Sequence, residues 1–130
     1  MIKTIAYDKE KKAKVRHEEI DIPLYKSAII VFVKPDNDIL EKYWEPHKGA
    51  EAFCANYLEH SGEVFMRFPT SRTTYSALAH EASHAATMIL DTVGHDISGE
   101  FDEPLAYLIG YITQELINIF TKRNIKLYKA

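Results

Sequence analysis

Residues 70–94, TSRTTYSALAHEASHAATMILDTVG, decide the architecture that we expect for this chain. The stretch begins with Ser and Thr residues, whose hydroxyl groups cap helix N-termini, and it ends at Gly94, the residue type that most readily closes a helix. Its body is rich in alanine, which has the highest helix propensity. These signals predict one long helix. Two histidines and a glutamate stand in its middle, where a helix built only for packing carries apolar side chains.

A second long helix is expected in residues 102–124, DEPLAYLIGYITQELINIFTKRN, after the loop HDISGEF. Asp102 or Glu103 is placed to cap its N-terminus, Pro104 suits the first turn, and Lys122 suits the negative end of the helix dipole. The body of this helix is hydrophobic around much of its circumference. Such a helix lies either in the centre of the core or partly in an interface between chains.

The first part of the chain has the patterns of β-strands. Residues 1–7, MIKTIAY, and 12–22, KAKVRHEEIDI, alternate roughly between apolar and polar side chains and are separated by a charged turn. Residues 27–35, SAIIVFVKP, form a compact apolar run that is closed by Pro35. A continuous run of this kind predicts a central strand that is covered on both faces.

Two further segments precede the first long helix. Residues 36–47, DNDILEKYWEPH, predict a short helix that ends at Pro46. Residues 50–68, AEAFCANYLEHSGEVFMRF, have the turn-like centre EHSGE and indicate a β-hairpin with residues 64–68 as its second strand. The first flank of this segment is also compatible with a helix. Residues 64–68 are either an ordinary sheet strand or an edge strand that binds an extended peptide substrate.

These patterns together predict an α+β fold, with an N-terminal antiparallel or mixed sheet followed by two long helices. The length of 130 residues suits one domain with a modest core. We therefore expect a single domain over residues 1–130.

The composition narrows the classes of function. The net charge of −3 and the absence of a long basic stripe argue against nucleic-acid binding. Cys54 is the only cysteine, which excludes an intramolecular disulfide and a thiolate zinc cluster within one chain. The N-terminus lacks the apolar stretch of a signal peptide, and no apolar run is long enough to span a membrane. A cytoplasmic protein that binds neither nucleic acid nor membrane is the expectation.

The central helix carries the motif H-E-x-x-H at His80, Glu81 and His84. Histidines four positions apart lie one turn apart on one helix face, so their rings reach the same point in space. This arrangement suits two ligands of a tetrahedral zinc ion. Glu81 lies about 100° around the helix from His80, near the metal without binding it. That is the position of a general base acting on metal-bound water.

A third protein ligand is needed for a catalytic zinc site with one open position. Glu103 is the candidate, because it stands in the first turn of the second long helix, with eighteen residues between it and His84. If the two helices pack antiparallel, Glu103 can face the histidine pair. The dipole of its own helix favours the ionised carboxylate that a ligand must be.

The motif and the following glutamate helix resemble those of gluzincins, the zinc metallopeptidases that include thermolysin. The resemblance covers roughly residues 63–120, and the segment DEPLAYLIGY also resembles the glutamate helix of compact, single-domain zincins found in phages and mobile elements. It implies a zincin-like active-site helix, zinc held by His80, His84 and Glu103, and Glu81 as base and proton shuttle. The chain departs from the metzincin pattern, since Leu90 stands where a third histidine is required.

The larger gluzincins carry a further domain that walls the substrate cleft and often supplies a residue that stabilises the oxyanion. In this chain that role has no assigned residue. Tyr107, one turn after Glu103, is on the face that points toward the metal, and it is equally compatible with an aromatic residue packed between helices. Asp91 is placed to orient a ligand of the metal, and His95 is either a loop histidine or a lid residue.

These observations predict a zinc-dependent metallopeptidase whose partner is a peptide or protein substrate. Glu81 takes a proton from the attacking water and passes it to the leaving amine. The alternative from another class is a zinc-stabilised binding protein on a protease-like scaffold without turnover. A third alternative is an α+β fold with two buried histidines and no metal. The substrate and the oligomeric state are not determined by the sequence.

Overall fold

A computed structural model of the chain describes residues 17–33, 53–56, 63–68, 72–97 and 102–129. Residues 1–7 and 36–47, for which we expected a strand and a short helix, lie outside these ranges. The described part has an α+β architecture, as the sequence predicted, with a mixed sheet followed by two long helices.

In the described part of the chain, the main sheet has four strands: β1 (Glu18–Ile22), β2 (Ser27–Val33), β3 (Phe53–Asn56) and β4 (Glu63–Phe68). Their order across the sheet is β1-β2-β4-β3. Strands β1 and β2 are antiparallel, β2 and β4 are parallel, and β3 and β4 are antiparallel. A short 3-10 turn, Pro23–Tyr25, joins β1 to β2.

The predicted central strand is confirmed, because β2 lies between β1 and β4 and six of its seven residues are buried. The antiparallel pairing of β3 with β4 also confirms the predicted hairpin-like pair. The alternative role of residues 64–68 as an edge strand is wrong. Strand β4 is hydrogen-bonded to a neighbour on each side, so it has no free edge to which an extended peptide can be added.

Two helices follow the sheet: α1 spans Tyr75–Thr92 and α2 spans Glu103–Lys122. The hydroxyl of Thr74 accepts a hydrogen bond from the Ala77 amide at the start of α1, at 3.0 Å. At its end, Gly94 has a φ of 77°, and the amide of His95 donates to the carbonyl of Leu90. This Schellman arrangement is the glycine-dependent helix end that the sequence indicated.

The side chain of Asp102 caps α2 by accepting a hydrogen bond from the Leu105 amide, which decides between the two expected caps. Asn124, with a φ of 56°, closes the other end of α2. The strands that flank the helices, Thr73–Thr74 (β5) and Leu127–Tyr128 (β6), pair in parallel as a second small sheet.

One face of the main sheet and the two helices enclose the core. Alternate residues of β2 and β4 point into this core, and small alanines of α1, including Ala82 and Ala85, let the helix approach the sheet closely. Phe68 of β4 contacts Phe120 of α2 edge to face, with ring centroids 5.6 Å apart. Helix α2 thus packs in the core through one face, while Tyr107 and Tyr111 on its outer side are exposed.

No helix in the described ranges has both the length and the apolar character required to cross a lipid bilayer.

Candidate metal centre

His80 and His84 lie on the exposed side of α1, and the helix brings their rings together. Their Nε2 atoms are 3.2 Å apart, and their ring centroids are 4.8 Å apart with an angle of 75° between the ring planes. The side chain of His80 is 66% exposed. The pair is therefore accessible from solvent, which a ligand or substrate needs, and the expected alternative of two buried histidines is wrong for this structure.

The distance between the two nitrogens fits a shared metal ion. Two nitrogens that each lie 2.0–2.1 Å from a tetrahedral zinc are about 3.3 Å apart. A separation of 3.2 Å is also within the range of a hydrogen bond from a protonated Nε2 to an unprotonated one. The two ring nitrogens thus fit two positions of a zinc ion without rearrangement of the helix.

Glu81 lies on the buried flank of α1 beside this pair and is only 4% exposed. Its Oε1 atom is 4.0 Å from Nε2 of His80, and its Oε2 atom is buried without a hydrogen-bond partner among the described residues. Burial raises the pKa of the Glu81 carboxyl above its ordinary value, and the nearby rings of His80 and His84 partly oppose this shift. A desolvated carboxyl beside two histidine nitrogens is a combination often found at functional sites.

Glu103 is not brought to the histidine pair in this structure. Within the described ranges, no group of three or more His, Cys, Asp or Glu side chains is placed to share a metal ion. The start of α2 is held beside the end of α1, because Asp102 contacts His95. His84 precedes the last residue of α1 by eight positions, which is about 12 Å along the helix axis. The assignment of Glu103 as the third ligand stays a prediction.

Glu103 instead lines a surface cavity together with Tyr107. Tyr107 is 76% exposed, so the expected alternative of an aromatic residue packed between helices is wrong. Its role in stabilising a transition state stays a prediction. Asp91 is exposed near the end of α1, seven positions and therefore about 10 Å from His84 along the axis. That distance is too great for direct contact with a metal held by the histidine pair.

The contact between His95 and Asp102 was not predicted from the sequence. Nε2 of His95 lies 2.9 Å and 3.0 Å from the two carboxylate oxygens of Asp102, and the Asp102 side chain is almost fully buried. The sequence identified a loop histidine and a helix cap separately. Their contact depends on the path of the loop between the helices, for which no short motif exists.

The chain matches no family model, no curated protein and no solved structure.

Proposed function

We propose that this protein is a zinc-dependent metallopeptidase with a zincin-like active-site helix, in which His80 and His84 hold zinc and Glu81 is the general base. The observation that supports this proposal most directly is the convergence of the two Nε2 atoms, 3.2 Å apart, beside a buried carboxylate oxygen without a partner. Burial of a carboxylate without a partner lowers stability, and a pair of surface histidines does not require one. The position of Glu81 therefore supports a functional role for this carboxylate.

Zinc, when bound, supplies a Lewis acid and lowers the pKa of bound water toward about 7. The transfer of the water proton is assigned to a residue of the chain. In the metal-free protein burial raises the pKa of the Glu81 carboxyl, which is typical of a group used for proton transfer. The Glu81 carboxylate, whose Oε1 atom lies 4.0 Å from Nε2 of His80, accepts the proton of the attacking water and then donates it to the leaving amine.

Glu103 is the proposed third ligand, on the strength of the gluzincin resemblance, and Tyr107 is the candidate for stabilising the transition state. In the structure both residues lie at the start of α2. A Glu103→Gln substitution tests the ligand role directly. If Glu103 binds zinc, the variant retains zinc much less tightly than the wild type in competition with a chelator, while its melting temperature without metal is unchanged.

The decisive experiment combines metal analysis with peptide cleavage. Wild type, Glu81→Gln and His84→Ala are purified without added metal, and His17→Ala serves as a control that removes a histidine outside the site. We expect about one zinc per chain in the wild type, in Glu81→Gln and in the control, and a large loss of zinc in His84→Ala. Only the wild type and the control are expected to cleave a peptide library, since Glu81→Gln removes the base.

The other outcomes distinguish the alternatives. Zinc that depends on His84, with no cleavage of any peptide by the wild type, indicates the zinc-stabilised binding protein without turnover. Cleavage by Glu81→Gln at the rate of the wild type contradicts the assigned mechanism. No zinc in the wild type, with no gain of zinc on dialysis against the metal, shows that the two histidines are only a surface pair.

A further inference from the structure

A cavity of about 590 Å³ lies between the end of β1 with its following 3-10 turn and the first turns of α2. Its volume is within the range of small-molecule sites, which is about 300–1,000 Å³. The described residues of its wall come from residues 21–25 on one side and from the exposed face of α2 on the other. Neither the histidine pair nor Glu81 lines it, whereas Glu103 and Tyr107 do.

The wall of this cavity is aromatic and apolar. Tyr25 contributes from the 3-10 turn, and Tyr107 and Tyr111 contribute from successive turns of α2. Five large hydrophobic side chains are exposed in the described part of the protein, and three of them, Leu24, Tyr107 and Tyr111, line this one cavity. A contiguous patch of exposed apolar side chains often marks a binding site.

One of these rings is held in place by the fold. The hydroxyl of Tyr111 donates a hydrogen bond of 3.1 Å to the backbone carbonyl of Asp21 at the end of β1. This bond joins the two sides of the cavity and fixes the Tyr111 ring in its wall. The ring is therefore preorganised, which lowers the entropic cost of binding a ligand against it.

The described side chains that line the cavity carry a net negative charge. Glu103 lines it and, among the described residues, forms no ion pair, and Asp21 lies on the opposite side. No Lys, Arg or His is found among the described residues of the wall. Faces of tyrosine rings attract cations, and a carboxylate at the same cavity adds to this attraction. Among the described residues of the wall, an anion meets two carboxylates and no basic side chain.

We propose that this cavity binds a small organic ammonium ion with an aromatic or aliphatic body. The body packs against Leu24 and the tyrosine rings, and the ammonium group lies between the ring faces and the Glu103 carboxylate. This inference requires neither zinc nor the histidine pair, although it shares Glu103 and Tyr107 with the proposed peptidase site.

The test uses three probes of similar size and different charge: phenethylammonium, phenethyl alcohol and phenylacetate. Each is titrated into the full-length chain, and binding is followed by NMR through the signals of the cavity residues. We expect phenethylammonium to bind roughly two- to fivefold more tightly than the alcohol, as expected for a cation at partly exposed aromatic faces. Phenylacetate is expected to bind more weakly than both, and added salt reduces the preference for the cation.

Substitutions distinguish the contribution of the carboxylate from that of the aromatic rings. Glu103→Gln is expected to reduce the preference for the cation and to leave the affinity for the alcohol nearly unchanged, whereas Tyr107→Ala weakens both probes. Glu115→Gln removes a carboxylate elsewhere on α2 and is the matched control, with affinities equal to those of the wild type. Glu103 and Tyr107 are both exposed, so we expect neither substitution to disrupt the fold. The melting temperatures of the variants check this.

Three results overturn the inference: no binding by any probe, equal affinity for the cation and the alcohol, or NMR shifts that lie outside the cavity. His84→Ala distinguishes this inference from the proposed function. Its loss of zinc with normal phenethylammonium binding supports two independent sites. If His84→Ala abolishes binding of the probe, the probe binds at the histidine pair and the cavity assignment is wrong.

Discussion

Glu81 shows how one position on a helix determines a chemical role. It follows His80 directly and is therefore rotated about 100° around α1, from the exposed face onto the buried flank. The turn of the helix that exposes the two histidines thus also desolvates the carboxyl between them. A buried carboxyl without a hydrogen-bond partner destabilises the folded state, as is typical of residues retained for function.

The raised pKa of Glu81 predicts a specific dependence of stability on pH in the metal-free protein. A carboxyl whose pKa is higher in the folded state binds its proton more tightly there than in the unfolded chain. Its favourable contribution to the free energy of unfolding is therefore complete below the ordinary pKa of glutamate. This contribution is lost as the pH rises through the raised pKa of the folded state.

The measurement is the free energy of unfolding of wild type and Glu81→Gln in urea with a chelator, from acid to neutral pH. We expect Glu81→Gln to gain stability relative to the wild type as the pH rises, because glutamine has no proton to lose. Glu115→Gln is measured in parallel as a control. A difference between wild type and Glu81→Gln that stays constant with pH contradicts the burial of an unpaired carboxyl.

At the scale of elements, the connection between α1 and α2 determines where the second helix begins. The Schellman arrangement at Gly94 ends α1, and the amide of His95 is fixed on the carbonyl of Leu90. The ring of His95 then contacts Asp102, the residue that caps α2. Asp102 therefore joins the end of one helix to the start of the next.

Removal of this side chain is expected to destabilise the start of α2. We predict that Asp102→Ala lowers the free energy of unfolding by about 1–2 kcal/mol, since it removes both the cap of Leu105 and the contact with His95. Asp102→Asn is expected to lose less, because asparagine retains a capping oxygen. Urea unfolding curves at neutral pH give both values.

Asp96→Ala is the control for this comparison, because it removes an exposed carboxylate from the same loop. It is expected to change the free energy of unfolding by less than about 0.5 kcal/mol. Equal effects of Asp102→Ala and Asp96→Ala show that neither the cap nor the contact with His95 contributes to stability.

At the scale of the whole molecule, the sheet and α2 are joined by the contact between Phe68 and Phe120. Both rings are completely buried and meet edge to face. The contact joins a strand near the middle of the chain to the last turn of the last helix. Its loss therefore affects the packing of the entire fold.

We predict that Phe120→Ala lowers the free energy of unfolding by about 3–5 kcal/mol, the usual cost of removing a buried phenylalanine. Tyr107→Ala on the exposed side of the same helix is the control and is expected to cost less than about 0.5 kcal/mol. Urea unfolding of the two variants distinguishes a core position from a surface position. A cost below about 1 kcal/mol for Phe120→Ala contradicts the packing of α2 against the sheet.

If the histidine pair binds zinc as proposed, the metal also acts on the stability of the whole molecule. A ligand that binds only the folded state raises the free energy of unfolding by about 2.7 kcal/mol at a concentration one hundred times its Kd. We therefore expect zinc to raise the Tm of wild type and of Glu81→Gln, and to have no such effect on His84→Ala. Differential scanning calorimetry with and without chelator measures this change, and equal responses of all three proteins exclude specific binding at the pair.

Local signals in the sequence were sufficient for the two helices, for the start and end of α1 and for the position of H-E-x-x-H. The Thr74 cap, the glycine at position 94 and the spacing of His80 and His84 act over a few neighbouring residues, so the chain determines them without reference to the rest of the fold. The apolar run of β2 was likewise sufficient to predict a central strand, because only a strand covered on both faces tolerates such continuous hydrophobicity.

Only the tertiary structure decided how these elements are placed relative to one another. The position of β4 between β2 and β3 decided between an ordinary sheet strand and an edge strand, in favour of the former. The contact of His95 with Asp102 held the start of α2 beside the end of α1, so Glu103 lines a cavity with Tyr107 instead of meeting the histidines. These placements depend on strand order and on the path of a loop, which are determined by packing between residues far apart in the sequence.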